Sequence, residues 1–191
     1  MTRRKTIEID RVLDATEAVI AEVGIHRLTL NLVAEKAGIS RGGLAYSFRS
    51  KEDLIRATTA REMERFAGEL ARHQHPDAPG DPVAAVRARI AVSRSEDQMM
   101  IARAASLIAS FLQSGEDTAP LRAQYRRDFD QLAGDDAAAA RARIAFWAVE
   151  GLFLLRGLGF LNIEQEEWHR SLDEIRDMLP PPVARDAAQA D

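Results

Sequence analysis

Arg41 stands between a serine and two glycines in the stretch SRGGLAYSF, residues 40–48. Its guanidinium is a rigid fork of donors that suits a guanine edge or a phosphate equally well. Short groups surround it. The hydroxyls of Ser40 and Ser47 can bond a base or a phosphate, and the methyl of Ala45 can meet a thymine methyl. Gly42 and Gly43 each cost a helix roughly 1 kcal/mol relative to alanine. Placed beside an arginine, they provide a thin leading edge where backbone can approach a nucleic-acid surface. Thr29, Tyr46 and Lys51 suit phosphate contacts. Arg3, Arg4 and Lys5 form a basic arm ahead of the first helix.

These groups need elements to hold them. Apolar residues at Ile9, Val12, Leu13, Val19, Ile20 and Val23 follow helical spacing, which predicts a helix over 7–23 ending at Gly24. Thr29 can cap LNLVAEKA, which stops at Gly38, and Ser40 can cap RGGLAYSF. Ala34 is small enough for a second helix to cross closely, Gly38 permits a left-handed turn, and Ile39 fills the angle. This is helix-turn-helix logic, with the second helix of the pair lying in a DNA major groove. Ser50 and Asp53 begin a capping-box-like start to a long helix reaching about His73.

The segment HQHPDAPGDP, residues 73–82, is the clearest internal break. Beyond it, helices are predicted over 82–94, 96–113 with Ser95 as cap, 119–133 opened by Thr118 and closed by Gly134, 137–159 and 164–179. No segment alternates with period two, so the fold class is all-α. The expected organisation is a DNA-binding domain over 1–50, a connecting helix over 51–75, a ligand-binding and dimerisation domain over 76–180 and a tail over 181–191.

The stretch VLDATEAVIAEVGIHRLTLNLVAEKAGISRGGLAYSFRSKEDLI, residues 12–55, resembles the DNA-binding domain of TetR-type transcriptional regulators. The resemblance rests on Gly24, Leu28-Thr29, Val33-Ala34, Ala37-Gly38-Ile39-Ser40, Gly42, Leu44, Tyr46, Phe48 and Ser50-Lys51-Glu52. It implies a homodimer on a palindromic operator, with an unknown small-molecule effector bound by the C-terminal helices. Such recognition helices commonly read L-Y-Y-H-F where this chain has Leu44-Ala45-Tyr46-Ser47-Phe48. The smaller Ala45 and Ser47 shift the expected affinity toward phosphate contacts.

Helix 137–159 carries two apolar stripes on nearly opposite sides, so it must be buried on both. Phe146, Val149, Phe153, Gly157 and Phe160 form one, and Ile144, Trp147, Gly151, Leu155 and Leu158 the other. One stripe can pack on the chain's own domain and the other on a partner; the first, with Trp168, Leu172 and Ile175 of the last helix, is taken as a four-helix dimer interface, with the Trp147 side as the alternative face. On helix 96–113, Met99, Arg103, Ser106 and Ser110 form a largely polar stripe. Facing inward with Phe111, Tyr125, Phe129 and Trp147, it would line a mostly apolar ligand pocket.

Composition narrows the classes. The 191 residues contain no cysteine, which removes disulfides, thiolate metal sites and cysteine nucleophiles. The basic start lacks an apolar stretch behind it, and Glu150 and Arg156 interrupt the longest apolar region, so a cytoplasmic chain with no signal peptide and no membrane association is expected. Net charge is −4 overall but +2 over residues 1–60. The four histidines fall in no nucleophile or metal motif, and phosphate and dinucleotide fingerprints are absent. No enzyme, cofactor or metal is expected. The residues lead to a ligand-released transcriptional repressor. Two rival readings are a helix-turn-helix protein-interaction module that no longer reads DNA and an α-helical small-molecule carrier.

Overall fold

A computed structural model describes residues 2–74, 80–113 and 118–181, with residues 2–8 and 113 described by their backbone alone. Its described elements are helical, without a strand among them. The first helix, α1, spans Thr2–Val23 and takes in the segment expected to be a free arm. The correction has a simple cause: no glycine or proline interrupts TRRKTIEI, and arginine, lysine and glutamate are good helix formers. The side chains of Arg3, Arg4 and Lys5 lie outside the described residues, as do His75 and the tail from 182.

Gly24, at φ 79°, turns the chain out of α1 into a short 3-10 turn, Ile25–Arg27. Thr29 caps α2 (Leu30–Ala37), its hydroxyl accepting from Leu32 N at 3.3 Å. Ser40 caps α3 (Arg41–Ser47) through Gly43 N at 3.0 Å. The long α4 (Lys51–His73) opens with the anticipated reciprocal box: Ser50 Oγ accepts from Asp53 N, and Asp53 Oδ2 accepts from Ser50 N. Then follow α5 (Pro82–Ser95), α6 (Gln98–Gln113), α7 (Ala119–Asp130), α8 (Ala137–Gly157) and α9 (Gln165–Asp177).

Two caps differ from expectation. Asp97, not Ser95, starts α6, accepting from Met100 N at 2.8 Å. Ser95 instead ends α5, with its hydroxyl donating to Val92 O. Thr118 makes no side-chain cap bond, and α7 stops at Asp130, short of Gly134.

Packing divides the apolar residues into two main clusters. Val12, Leu44, Phe48 and Leu54 form the first with Leu107, Phe111 and Leu121. Phe111, expected at a ligand, is therefore core, in one cluster with Leu44 and Phe48 of the α3 segment. The second cluster joins α5, α6, α8 and α9, and it overturns most of the expected dimer face. Phe146, Val149, Trp168, Leu172 and Ile175 are all buried within the chain itself and offer a partner nothing. Trp168 also donates from Nε1 to Ser93 O at 3.0 Å, and the Arg156 guanidinium lies 4.9 Å over its ring. Gly157 is needed because α6 crosses there: a Cβ would stand 2.5 Å from that of Ala105. Among the expected interface residues only Phe160 is exposed, at 72 %. It belongs with the opposite apolar stripe, where Ile144, Trp147, Leu155 and Leu158 are exposed. Two stripes on one helix are legible in sequence; which of them meets the chain's own core is decided by α5, α6 and α9. Among the described residues, no helix is long and apolar enough to cross a membrane.

Candidate functional site

The turn between α2 and α3 has the geometry its residues dictate. Gly38 adopts φ 63° and ψ 37°, the left-handed region open to glycine. Its N–H bonds Glu35 O, and Ile39 N bonds Ala34 O, each at 3.0 Å, which closes the helix end as a Schellman motif. Ala34 is buried at the crossing, and Ile39 packs against the core. Leu44 and Phe48 anchor α3 from beneath.

Everything else on α3 faces outward. Arg41, Gly42, Gly43, Ala45, Tyr46 and Ser47 are exposed, as are Thr29 and Ser40 at the caps. Arg41 Nη1 donates to Asn31 Oδ1, a partner on α2 that spacing alone did not identify. The contact aims a side chain that would otherwise be free to swing. Neither glycine is required by a positive φ. A Cβ at Gly42 would meet nothing within 4 Å, while one at Gly43 would approach Ser40 Oγ at 3.3 Å. Lys51 is more internal than expected: its Nζ donates to His26 O at 3.2 Å and fastens the start of α4 to the 3-10 turn.

A second site lies farther along α4. A cavity of about 90 Å³ is enclosed by α4, α5, α6, α7 and α8, with Met63, Phe66, Leu107 and Phe153 among its apolar walls. Charged groups line it too: Glu62, Arg89, Glu96, Asp128 and Glu150. Arg89 donates from Nε to Glu150 Oε1 at 2.5 Å and from Nη1 to Asp128 Oδ2 at 3.2 Å. The rings of Phe66 and Phe146 lie 5.0 and 4.7 Å from its guanidinium carbon. Burial opposes its charge, but Glu150 and Asp128 outweigh that, and the arginine is held more firmly protonated than usual. Burial, reinforced by Glu150, pushes the Tyr125 hydroxyl well above its ordinary value. Burial also raises the Glu96 carboxyl to about 7, with Glu62 and Glu150 adding to the effect against Arg65 and Arg89.

Of the expected pocket residues, only Tyr125 lines this cavity. Met99 is 72 % exposed and Trp147 58 %. Phe129 stacks on Trp147 with ring centroids 5.8 Å apart. Ser106 and Ser110 are half-buried but line none of it. Arg103 instead pairs with Glu17 Oε2 of α1 at 3.0 Å and lies 3.7 Å from Glu62 Oε2. Phe153, assigned to a partner by its stripe, is a cavity wall. The missed residues left a readable sign in two places. Arg89 interrupts the apolar run VAAVRARIAV and Glu150 interrupts FWAVEGLFL, where a charge on a buried face implies a polar interior. Glu96 sits in a polar segment and left no such sign.

Residues 12–58 match the bacterial regulatory proteins of the tetR family, and residues 83–180 match a tetracyclin repressor-like C-terminal domain. The chain is 31 % identical over 184 residues to the HTH-type transcriptional regulator BetI of Burkholderia thailandensis, covering 91 % of this chain and 94 % of that protein. Against BetI of Yersinia pestis the identity is 35 % over 83 residues, and the match spans only 41 % of that regulator's length. A solved complex of SmeT with triclosan superposes with a TM-score of 0.63 at 20 % identity, covering 97 % of this chain and 98 % of that one. The helix-turn-helix geometry, its exposed reading face and these matches to both halves agree, and the chain belongs to the TetR family of bacterial transcriptional regulators.

Proposed function

We propose that this chain is a ligand-responsive repressor: a homodimer that grips a palindromic operator with residues 41–48 and releases it when a small molecule enters the cavity. One observation carries the reading. Helix α4 begins directly behind the reading helix, and its Thr59, Glu62, Met63 and Phe66 form a wall of the cavity. A ligand that moves this wall moves the head. Glu62 also neighbours Arg103, which pairs with Glu17 of α1, and Arg61 of α4 pairs with the same Glu17 at 2.6 Å. The ion-paired set joins α1, α4 and α6 beside the ligand wall, where two discrete pairings would favour two head positions.

The partner-facing surface in this reading is the outer stripe of α8, Ile144, Trp147, Leu155 and Leu158, continued by Phe160 and Leu161. A contiguous exposed apolar stripe of this kind suits a self-complementary two-fold contact. The protein would act by binding, in the cytoplasm where its DNA lies. Gel retardation on the chain's own upstream DNA across a salt series tests the reading. Specific retardation at a palindrome supports it, and equal retardation of any sequence overturns operator recognition. Leu158→Glu should yield monomers in sedimentation and lose the operator together with the dimer; an intact dimer would move the interface elsewhere.

A further inference from the structure

We infer that the cavity beside α4 is built for a compact organic cation, a protonated amine or amidine with an apolar body, received by the carboxylates of Glu96 and Glu62. The inference rests on the cavity being the effector site of the regulator proposed above, and it names the chemistry of that effector.

The first argument is the balance of charge around the cavity. Four carboxylates line it, on Glu62, Glu96, Asp128 and Glu150, against one lining cation, Arg89. Arg89 is engaged by Glu150 and Asp128. Arg65 reaches Glu62 through Oε1, and Arg103 is engaged chiefly by Glu17. Glu96 receives no hydrogen bond or ion pair on its carboxylate among the described residues, although only 8 % of the residue is exposed. A buried carboxylate without a partner is costly unless it takes up a proton or meets a cation.

Hydrogen bonding points the same way. Thr59, 3 % exposed, lines the same cavity with an Oγ1 that has no hydrogen-bond partner, and Glu62 Oε2 is likewise buried without one. Unsatisfied buried polar atoms are rare in native interiors, and these stand on successive turns of one helix. Glu62 Oε2 can only accept when ionised and Thr59 Oγ1 can accept as well as donate, so an N–H donor complements both. An anionic ligand would face four lining carboxylates, and the one lining cation, Arg89, is already paired with Glu150 and Asp128. A neutral hydrocarbon fills the apolar side but leaves all three oxygens as they are. A protonated nitrogen satisfies them, while Met63, Phe66 and Phe153 take its apolar body and aromatic faces favour its charge.

Size connects binding to release. A cavity of about 90 Å³ is smaller than the roughly 150 Å³ that accommodates benzene in an engineered apolar core. A cation carrying a ring would therefore fill this space and press on its walls, and the α4 wall leads directly to α3.

Calorimetry on the full native chain tests this with three probes of one shape: benzylammonium chloride, benzyl alcohol and sodium benzoate. Benzylammonium should bind at least tenfold tighter than the alcohol, and benzoate should give no measurable heat. Amines of this kind remain cationic over pH 6–8, as lysine does with its pKa of about 10.4. Binding should then follow ionisation of Glu96, whose carboxyl is raised to about 7, with affinity rising about tenfold from pH 6 to 8. The groups facing Glu96 are Glu62 and Arg65 from α4, Arg89 from α5 and Glu150 from α8, with Tyr125 and Asp128 of α7 on the same cavity and Arg103 of α6 beyond Glu62. Gln165 of α9 reaches its carbonyl. Glu96→Gln should lower benzylammonium affinity at least tenfold and flatten its pH dependence, with a melting curve confirming the fold. Thr59→Val, which leaves the charge in place, should weaken binding by a smaller factor and keep the pH dependence. Equal affinity for the alcohol and the ammonium, an unchanged Glu96→Gln profile, or no binding of any probe overturns the inference. None of these titrations contains DNA. Retardation by the unliganded chain decides the regulator reading separately.

Discussion

The two ends of α4 serve opposite kinds of surface. At its start, α3 presents short exposed groups, and Gly42 answers no demand of the chain's own packing: a Cβ there would touch nothing, whereas one at Gly43 would meet only Ser40 Oγ, at 3.3 Å. Farther along, long charged side chains are drawn out of water into an apolar enclosure, and among the described residues the hydroxyl of Thr59 and Oε2 of Glu62 are buried without a hydrogen-bond partner. In the first region the fold supplies less side chain than it could hold. In the second it buries more polarity than it satisfies. Each departure is costly to the isolated chain, by helix propensity in one case and by desolvation in the other. What offsets the cost must come from outside, and the sign of the departure indicates what comes: a large surface that needs clearance, or a small group that supplies the missing donor.

The sharpest way to break the comparison is to fill the clearance. Gly42→Leu meets no atom of the chain, and it replaces a poor helix former, so the fold should melt at the same temperature or slightly higher. Operator binding should fall to the non-specific level, a loss of about 4 kcal/mol or more, because the side chain holds α3 off the bases. Titration of labelled operator alongside a melting curve checks both. Normal operator binding by this variant would mean that the glycines do not serve close approach.

The corresponding break at the cavity uses pH. Burial, then Glu62 and Glu150, raises the Glu96 carboxyl from 4.5 to about 7 in the folded chain. Between these values the folded chain keeps a proton that the unfolded chain has released. The contribution of Glu96 to stability is therefore retained below about pH 4.5, lost progressively as pH rises toward 7, and absent above it. The difference amounts to about 3 kcal/mol. Glu96→Gln should lack this decline, so denaturant unfolding at pH 5 and pH 8 should show the native chain losing ground to the variant. Parallel pH profiles would mean that water or a neighbouring group already satisfies Glu96.

How far each region is legible in sequence follows from how it is assembled. The turn, its caps and the reading face lie within residues 29–53, so a side chain's neighbour in space is mostly its neighbour in sequence. Gly38, Ser40 and the Ser50–Asp53 box act where spacing assigns them. The Arg41–Asn31 contact is the part that spacing misses, since it crosses between two helices. The cavity takes its walls from five helices, and none shows by itself which face turns inward. For that reason periodicity puts Met99 and Trp147 inside and Phe153 against a partner, on stripes that are correctly drawn but wrongly oriented. Burial of one stripe of α8 against α5, α6 and α9 is a property of the assembled fold.

Next in size is the arginine at the head. Arg41→Ala removes a fork that Asn31 holds in place, and it should cost about 1–3 kcal/mol of operator affinity if the contact is to a guanine edge. Asn31→Ala should cost less, because it frees the arginine without removing it. Testing both against operators altered at single positions separates base from phosphate. A loss equal on every sequence assigns Arg41 to a phosphate, and the comparison then rests on the glycines alone.

The smallest expected effect concerns the first residues and sharpens the contrast at its electrostatic edge. With Ala45 and Ser47 in place of larger groups, α3 has few long side chains to read bases, so phosphate contacts must supply much of the affinity. Arg3, Arg4 and Lys5 are three consecutive cations in the sequence, and their backbone continues α1 rather than trailing from it. A backbone that is helical from residue 2 suits an approach along one phosphate backbone better than insertion into a minor groove. Deleting residues 2–5 should therefore weaken binding to operator and to random DNA by similar, modest factors. It should also flatten the slope of log affinity against log salt by roughly 0.9 for each phosphate that is no longer neutralised. Selective weakening on the operator would instead indicate minor-groove reading, in which arginine senses groove width and A·T content. An unchanged slope would remove residues 2–5 from the DNA-binding surface and leave Thr29, Tyr46 and Lys51 to carry the phosphate contacts.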